Sequence, residues 1–356
     1  MSNRSRILTG DTPSGRLHLG HWVGSLENRV LLQDQYDCFF LLANMHAFTT
    51  RADRPQDIRR DTLDIVKDWL AAGIDPERST LVLQTEIPAI AELSWYFAML
   101  TPFNRVMRNP TLKTEIELKD LGEHYSFGFP LYTVGQCADI LAFRAALVPV
   151  GEDQVAHIEL CREVARRFNA TYCGVDPKTE DLAHVSAGGL FPIPSALVGR
   201  IGRLTGTDGK NKMSKSLGNA ILLTDTAKEI KTKMGALYTG RQTMTEPGDT
   251  DNALFQYVRA FIKDPARVAE LEDRYKRGDN IGDGHVKVEV AAAIDALLAP
   301  MRERRAALEG KAGDDRVLEI LRAHTPKANA VADETLYAAK QAMGLDYGPR
   351  ALVFGR

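Results

Sequence analysis

Two histidines flank a glycine at His18-Leu19-Gly20-His21, directly after the turn-rich stretch Gly10-Asp11-Thr12-Pro13-Ser14-Gly15. Imidazole N–H groups donate to phosphate oxygens. A helical pattern follows, so free backbone N–H groups and the positive end of a helix would face the same anion. Gly20 would let the backbone approach such a ligand closely. Taken alone, the pattern also fits two surface histidines at a helix start. A second group lies far downstream, at Lys212-Met213-Ser214-Lys215-Ser216, inside the polar stretch 206–218. Two lysines on a glycine-rich loop can deliver positive charge to a polyphosphate as charge moves onto it; most lysine-rich loops are merely solvated. A third group, Tyr132, Gln136, Asp139 and Phe143, is spaced to share one helix face, with Val134, Ala138 and Leu141 opposite. Without context that is an amphipathic helix with a wet side.

The elements that must position these residues alternate. Arg6–Thr9 reads as a buried strand, Gly20–Gln33 as a helix, and Cys38–Leu42 as a strand covered on both faces. Asp57–Ala72 is a helix stopped by Gly73, Thr80–Gln84 a strand, and Pro88–Leu100 a helix opened by proline. Residues 101–129 interrupt the alternation with a polar, basic insertion. Leu131–Phe143 reads as a helix and Leu147–Gly151 as a fourth strand, where Pro149 implies an edge position or an irregularity. Asp153–Phe168 is a helix, for which Asp153 is read first as the cap. Residues 171–200 read as loop and Ile201–Leu204 as a last strand. Beyond Asp225 only helical patterns remain: Leu254–Phe261, Pro265–Tyr275, Val286–Leu308 with Pro300 as a kink, Asp315–His324 and Asn329–Met343.

This order of elements predicts an α/β fold in which a parallel sheet is flanked by helices and followed by an all-helical C-terminal domain. The expected division is 1–219, containing the insertion and the loop 206–218, then 220–345, then a tail 346–356. A length of 356 residues allows one large domain and a smaller one. A net charge of -2 leaves no bulk basic footprint, so a nucleic-acid partner would need a local patch. Candidate patches are Lys228, Lys231 and Lys233, and Arg302, Arg304 and Arg305, each of which also fits a solvated helix face. Cys38, Cys137, Cys161 and Cys173 form no C-x2-C pair, which argues against a zinc site, and no disulfide framework is expected. No signal peptide and no membrane helix are expected, so the anticipated setting is cytoplasmic.

The His-x-Gly-His and Lys-Met-Ser-Lys-Ser motifs, in this order around a parallel α/β sheet and before a helical region, resemble the class I aminoacyl-tRNA synthetases. Within that class the chain resembles the tryptophanyl-tRNA synthetases of bacterial type. The resemblance rests on Thr9-Gly10-Asp11-Thr12-Pro13-Ser14-Gly15, on Leu41-Leu42-Ala43-Asn44-Met45-His46-Ala47, and on Val148-Pro149-Val150-Gly151-Glu152-Asp153-Gln154. It extends through His157, Glu159, Arg162 and Arg166-Arg167-Phe168-Asn169, and covers most of residues 5–345.

The resemblance implies a Rossmann-like catalytic domain that joins tryptophan to AMP and passes it to tRNA(Trp). His18, His21, Lys212 and Lys215 would be the catalytic groups. Thr12, Gly20, Gly151, Asp153, Met213 and Ser214 would join His21 and the two lysines around ATP. Asp139 would accept the indole N–H, and Tyr132, Gln136 and Gln154 would surround the α-amino group. Leu8, Gly10, His46, Ile140, Val148 and Val150 would wall the ring. Magnesium would come with ATP and without a dedicated protein site. Residues 220–345 would bind the anticodon, and a homodimer is expected, to which the insertion at 101–129 would contribute unless it closes over ATP instead. Two positions depart from the commonest bacterial pattern, Gln136 where methionine is frequent and Leu8 where phenylalanine is frequent. Tyr-x3-Gln-x2-Asp also resembles the tyrosyl enzymes, which leaves tyrosine–tRNA ligase as the near alternative. The Pro149–Gln154 segment favours tryptophan. A small-molecule nucleotidyltransferase sharing His-x-Gly-His is a more distant alternative, as is a non-catalytic paralogue.

Overall fold

The structure, a computed structural model, describes residues 4–348 apart from 123 and 242. Most of the expected tail, 349–356, therefore lies outside the described residues. The first half of the chain alternates: β1 Arg6–Asp11, α1 Leu19–His21, α2 Glu27–Leu32, β2 Asp37–Leu42, α3 Phe48–Arg51, α4 Pro55–Ala72, β3 Ser79–Leu83 and α5 Pro88–Leu100. Then come α6 Phe103–Met107, α7 Pro110–Leu118, α8 Gly128–Ala142, β4 Leu147–Val150, α9 Val155–Cys173 and β5 Ser195–Val198. Helices α10 Ala227–Ala236, α11 Ala253–Phe261, α12 Pro265–Arg277, α13 Asp283–Ala306 and α14 Gly310–Ala342 complete it.

Among the described residues the five strands form one parallel sheet in the order β3-β2-β1-β4-β5. The direction of winding reverses between β1 and β4. In such a sheet a crevice opens there, beyond the carboxyl ends of the strands. Strand β2, Asp-Cys-Phe-Phe-Leu-Leu, is buried from Cys38 onward, as its apolar run requires. Helix α4 begins on Pro55 and stops at Gly73, whose φ of 114° a side chain would resist.

Pro149 lies inside the sheet, not at its edge, and the expected irregularity is real. Its nitrogen cannot donate, and β4 pairs with β1 only at Ile7 and Leu147. The Pro149 carbonyl instead accepts from the hydroxyls of Thr9 and Ser25. The last strand is Ser195–Val198, not Ile201–Leu204. Only one side of β5 is paired and its residues are largely half-exposed, so it lacks the continuous apolar run that marked the inner strands. Leu204 serves another purpose: its carbonyl accepts from the Met213 N–H and begins a hairpin-like turn.

The C-terminal helices pack directly on this sheet. One buried cluster joins Ile7, Trp22 and Phe40 to Phe255, Ile294, Leu298 and Val317. A second joins Leu8, Phe39 and Val148 to Ala328, Ala332 and Leu336. The stretch read as two helices, 315–324 and 329–343, is the single helix α14. Pro326 removes one N–H from it, and the adjoining Thr325 hydroxyl bonds back to the Leu321 carbonyl at 2.8 Å. His324 on α14 also accepts the Leu81 N–H at 2.9 Å, which covers a free donor of edge strand β3.

The arginine cluster offered as a candidate phosphate patch is neither that nor a solvated face. Arg305 is buried against Asp68 and Asp64, Arg304 donates to the Ala71 carbonyl, and Arg302 to Asp295 and the Asp225 carbonyl. Lys233 likewise turns inward to Asp225, while Lys228 and Lys231 remain exposed.

Candidate functional site

His18 and His21 sit at the mouth of the crevice. His18 caps α1, and its Nδ1 accepts the Gly20 N–H at 3.1 Å; His21 Nδ1 accepts the His18 N–H at 3.1 Å. A backbone donor at Nδ1 fixes the tautomer: in each neutral ring the proton is on Nε2. Burial, the neighbouring His21 and the loop lysines push the pKa of His18 far below its ordinary value. Burial, with Lys215, Arg29 and Lys212, brings His21 to about 4 against the opposing pull of Asp11. Both rings are therefore neutral Nε2–H donors at neutral pH, with centroids 3.8 Å apart and planes tilted by 46°. Gly20 is needed because a Cβ there would lie 2.9 Å from the His18 ring. The helix then widens into a π-type turn, Trp22–Leu26, a local form that recurs at functional sites.

The loop holding this pair is anchored on both sides. Leu17 N–H donates to buried Asp68 at 2.8 Å, and residues 17–19 pair backbone to backbone with 221–223. That pairing brings the lysine loop beside the histidines. Met213 is buried, with its Cβ 3.7 Å from where a Cβ on Gly20 would stand. Ser214 N–H is held by buried Asn219 at 2.7 Å. Lys215 Nζ donates to the Arg16 carbonyl at 2.8 Å and Lys212 Nζ to Asp153 Oδ2 at 2.8 Å. Asp153 is consequently not a helix cap. The cap position of α9 is Gln154, whose side chain makes no capping bond. The carboxylate is drawn to the cation across the crevice instead.

Asp139 lies deeper, on α8, and is 3% exposed. Its Oδ1 accepts from Gln84 Nε2 at 2.8 Å. The orientation of Gln84 is fixed, because its Oε1 accepts the N–H groups of Met45 and His46. The same Nε2 approaches His46 Nε2 at 3.1 Å, which leaves the His46 proton on Nδ1, 3.6 Å from Asp139 Oδ2. That last separation is too long for a full hydrogen bond, so Oδ2 keeps acceptor capacity. Burial raises Asp139 to about 7, opposed by Gln84, and lowers His46 to about 4. Gln84 escaped the sequence reading, although a lone amide closing an apolar strand was a usable signal.

The expected ring-walling residues Leu8, Ile140, Val148 and Val150 share one buried cluster. Gly10 has no room for a side chain, since a Cβ would lie 2.0 Å from the Leu41 carbonyl oxygen. His46 turns its Nε2 edge toward Gly135, where a Cβ would come within 2.7 Å of that nitrogen. Gln136 donates to Gln154 at 3.4 Å, and Gln154 to Asp153 at 3.3 Å. A line of polar contacts thus runs from the helix of Asp139 to Lys212. The Tyr132 hydroxyl meets His157 Nε2 at 3.2 Å. Thr12 is exposed on the loop after β1, and Gly151 follows β4. A cavity of about 700 Å³, lined by Thr111, Glu152, Asp153, Val198 and Gly202, opens beside the Asp153–Lys212 pair.

This arrangement places neutral N–H donors and two lysines at one end and a buried carboxylate with a spare oxygen at the other. Such a site can hold a polyphosphate and a ligand bearing one apolar-ring donor. Residues 1–299 match the family of class I tRNA synthetases for W and Y. The chain is 44% identical over 348 residues to the tryptophan–tRNA ligase of Lactococcus lactis, covering 96% of this chain and 98% of that one. It is 41% identical to that of Treponema pallidum over 349 residues, 97% and 98% of the two chains. Tryptophanyl-tRNA synthetase from Campylobacter jejuni, solved with ADP and tryptophan, superposes with a TM-score of 0.76 at 30% identity, over 96% of this chain and all of that one.

Proposed function

The chain belongs to the tryptophan–tRNA ligases of the class I tRNA synthetase family, and from that membership we propose how its residues divide the work. The enzyme uses ATP to activate L-tryptophan as the adenylate and passes the amino acid to tRNA(Trp). The observation that supports this division best is the buried Asp139, with one oxygen taken by Gln84 and the other spare. A carboxylate is the natural partner of indole, whose nitrogen only donates. Leu8, Gly10, His46, Ile140, Val148 and Val150 enclose the ring, and Tyr132, Gln136 and Gln154 receive the α-ammonium group.

At the other end, His18 and His21 donate through Nε2–H to the phosphates, with Gly20 holding the first ring in place. No protein nucleophile is needed, because the tryptophan carboxylate attacks the α-phosphorus and pyrophosphate leaves. Catalysis is then positioning and charge stabilisation. Lys212 and Lys215, now paired with Asp153 and the Arg16 carbonyl, exchange those partners for phosphate oxygens. Thr12, Gly151, Asp153, Met213 and Ser214 complete the ATP surroundings, and the cavity beside Asp153 receives the nucleoside. Magnesium travels on the triphosphate.

Residues 1–219 act as the catalytic part and 220–345 as the anticodon-binding part, where exposed Lys228 and Lys231 suit phosphates. A homodimer is proposed, in keeping with the exposed Trp95, Met99 and Phe103 on the successive helices α5 and α6. Among the described residues no helix is long and apolar enough to cross a membrane; a cytoplasmic setting is proposed. ATP–pyrophosphate exchange with each of the twenty amino acids tests the reading. Stimulation by tryptophan alone supports it; stimulation by tyrosine alone, or by none, overturns it.

A further inference from the structure

The insertion breaks the α/β alternation, yet it does not stand apart from the amino-acid site. Its helix α7 packs on α9 and α6 on α8. At the start of α7, Asn109 is fully buried. Its Oδ1 accepts the N–H groups of Thr111 at 3.0 Å and Leu112 at 3.4 Å, which fixes the amide orientation. Nδ2 is therefore the atom that faces inward, donating to the Ala156 carbonyl at 3.3 Å and to His157 Nδ1 at 3.1 Å. An Asn Nδ2 can only donate, so His157 Nδ1 must accept. In the neutral ring the proton is then on Nε2, which donates to the Tyr132 hydroxyl at 3.2 Å. His157 is 1% exposed, so water does not compete for either ring nitrogen. Glu115, also on α7, lies beside the same hydroxyl. With His157 donating to Oη and a carboxylate ready for its hydrogen, one lone pair remains for an incoming N–H.

We propose that Asn109 is a positioning residue of the tryptophan site: acting through His157, it sets the hydrogen-bonding state of the Tyr132 hydroxyl that meets the α-ammonium group. This rests on the assignment of Tyr132 to that group. The competing possibility is that Asn109 only caps α7, in which case its loss would disturb the whole pocket.

The two are separated by comparing tryptophan with indole-3-propionate, which has the ring and carboxylate but no amine. Equilibrium binding of both is measured for Asn109→Ala, Tyr132→Phe and the double variant. The expected result is a roughly tenfold loss for tryptophan in each single variant, the scale of a hydrogen bond to a charged group. Binding of indole-3-propionate stays within about twofold, and the double variant is no worse than Tyr132→Phe. Because Asn109 is buried, His157 supplies an independent pair. In His157→Gln the side-chain amide can replace the Nε2 donor and tryptophan binding is largely kept, whereas His157→Asn is too short and behaves like Asn109→Ala. Equal weakening of both ligands by Asn109→Ala, or additive losses in the double variant, overturns the relay. If Tyr132→Phe itself shows no preference between the ligands, the assignment of Tyr132 fails, and the relay with it.

Discussion

Replacing Asp139 with asparagine should make the ligand-free protein more stable and nearly abolish its use of tryptophan. The carboxyl is held at about 7 in the fold, against 3.8 in its ordinary environment. An acid whose pKa is raised by folding costs stability at every pH where the unfolded chain would ionise it. The cost is absent below about pH 4, grows as pH rises, and is complete above pH 7. Its size there is about 4 kcal/mol, taking 1.36 kcal/mol for each pH unit by which the two states differ. The substituted amide would keep the Gln84 bond at Oδ1 and shed the charge. Its Nδ2, however, would present a donor to the indole N–H, and two donors cannot pair. A tryptophan affinity lower by about 100-fold follows, since a buried polar group on each side loses its partner. Urea unfolding of the two proteins at pH 8 and pH 5, with tryptophan titrations at pH 8, tests both halves. The stability advantage should be several kcal/mol at pH 8 and roughly half that or less at pH 5. A mutant that is less stable at pH 8, or an advantage that does not shrink toward pH 5, would refute the electrostatic reasoning. Retained tryptophan affinity would refute the assignment of Asp139 to the indole.

Three further outcomes are expected. His21, His46 and His157 are each lowered to about 4, mainly by burial. Stability tied to their neutral forms is therefore whole above pH 6.5 and lost as pH falls toward 4, by about 3 kcal/mol for each ring; the urea midpoint should drop between pH 7 and pH 5 despite the smaller gain from Asp139. Gly20→Ala should displace the His18 ring, which a new Cβ would approach to 2.9 Å, and slow tryptophan activation by about 100-fold with tryptophan binding intact; rapid-quench activation and equilibrium binding report the two separately. Arg305→Met strands buried Asp68 and should cost about 3–5 kcal/mol in urea unfolding, most of it recovered by adding Asp68→Asn.

What could be read from the sequence followed the range over which each residue acts. Strands β1 to β4 and helices α4, α5 and α9 declared themselves because burial on both faces, or an apolar stripe at helical spacing bounded by a proline, a glycine or a polar residue, leaves a local pattern. Strand β5 did not, being short, paired on one side and half-exposed. Asp153 looked like a cap because it precedes a helix; the cation it actually meets lies 59 residues further on. Arg305 looked solvated for the same reason, its partner Asp68 being 237 residues away. The phosphate end of the site was legible as motifs, His18 to His21 and Lys212 to Ser216. At the amino-acid end, the contacts of Gln84 with Asp139 and of Asn109 and His157 with Tyr132 became visible only once the sheet brought distant segments together.

At the centre stands the proposed division of labour, in which His18 and His21 act on the phosphates as neutral donors while Asp139 selects the amino acid. Single-turnover activation of tryptophan by His18→Ala and His21→Ala, measured beside equilibrium tryptophan binding, addresses it most directly. The expected result is an activation rate lower by roughly 10²–10³ for each variant, with tryptophan affinity unchanged. A large loss of tryptophan affinity with an unchanged activation rate would contradict it.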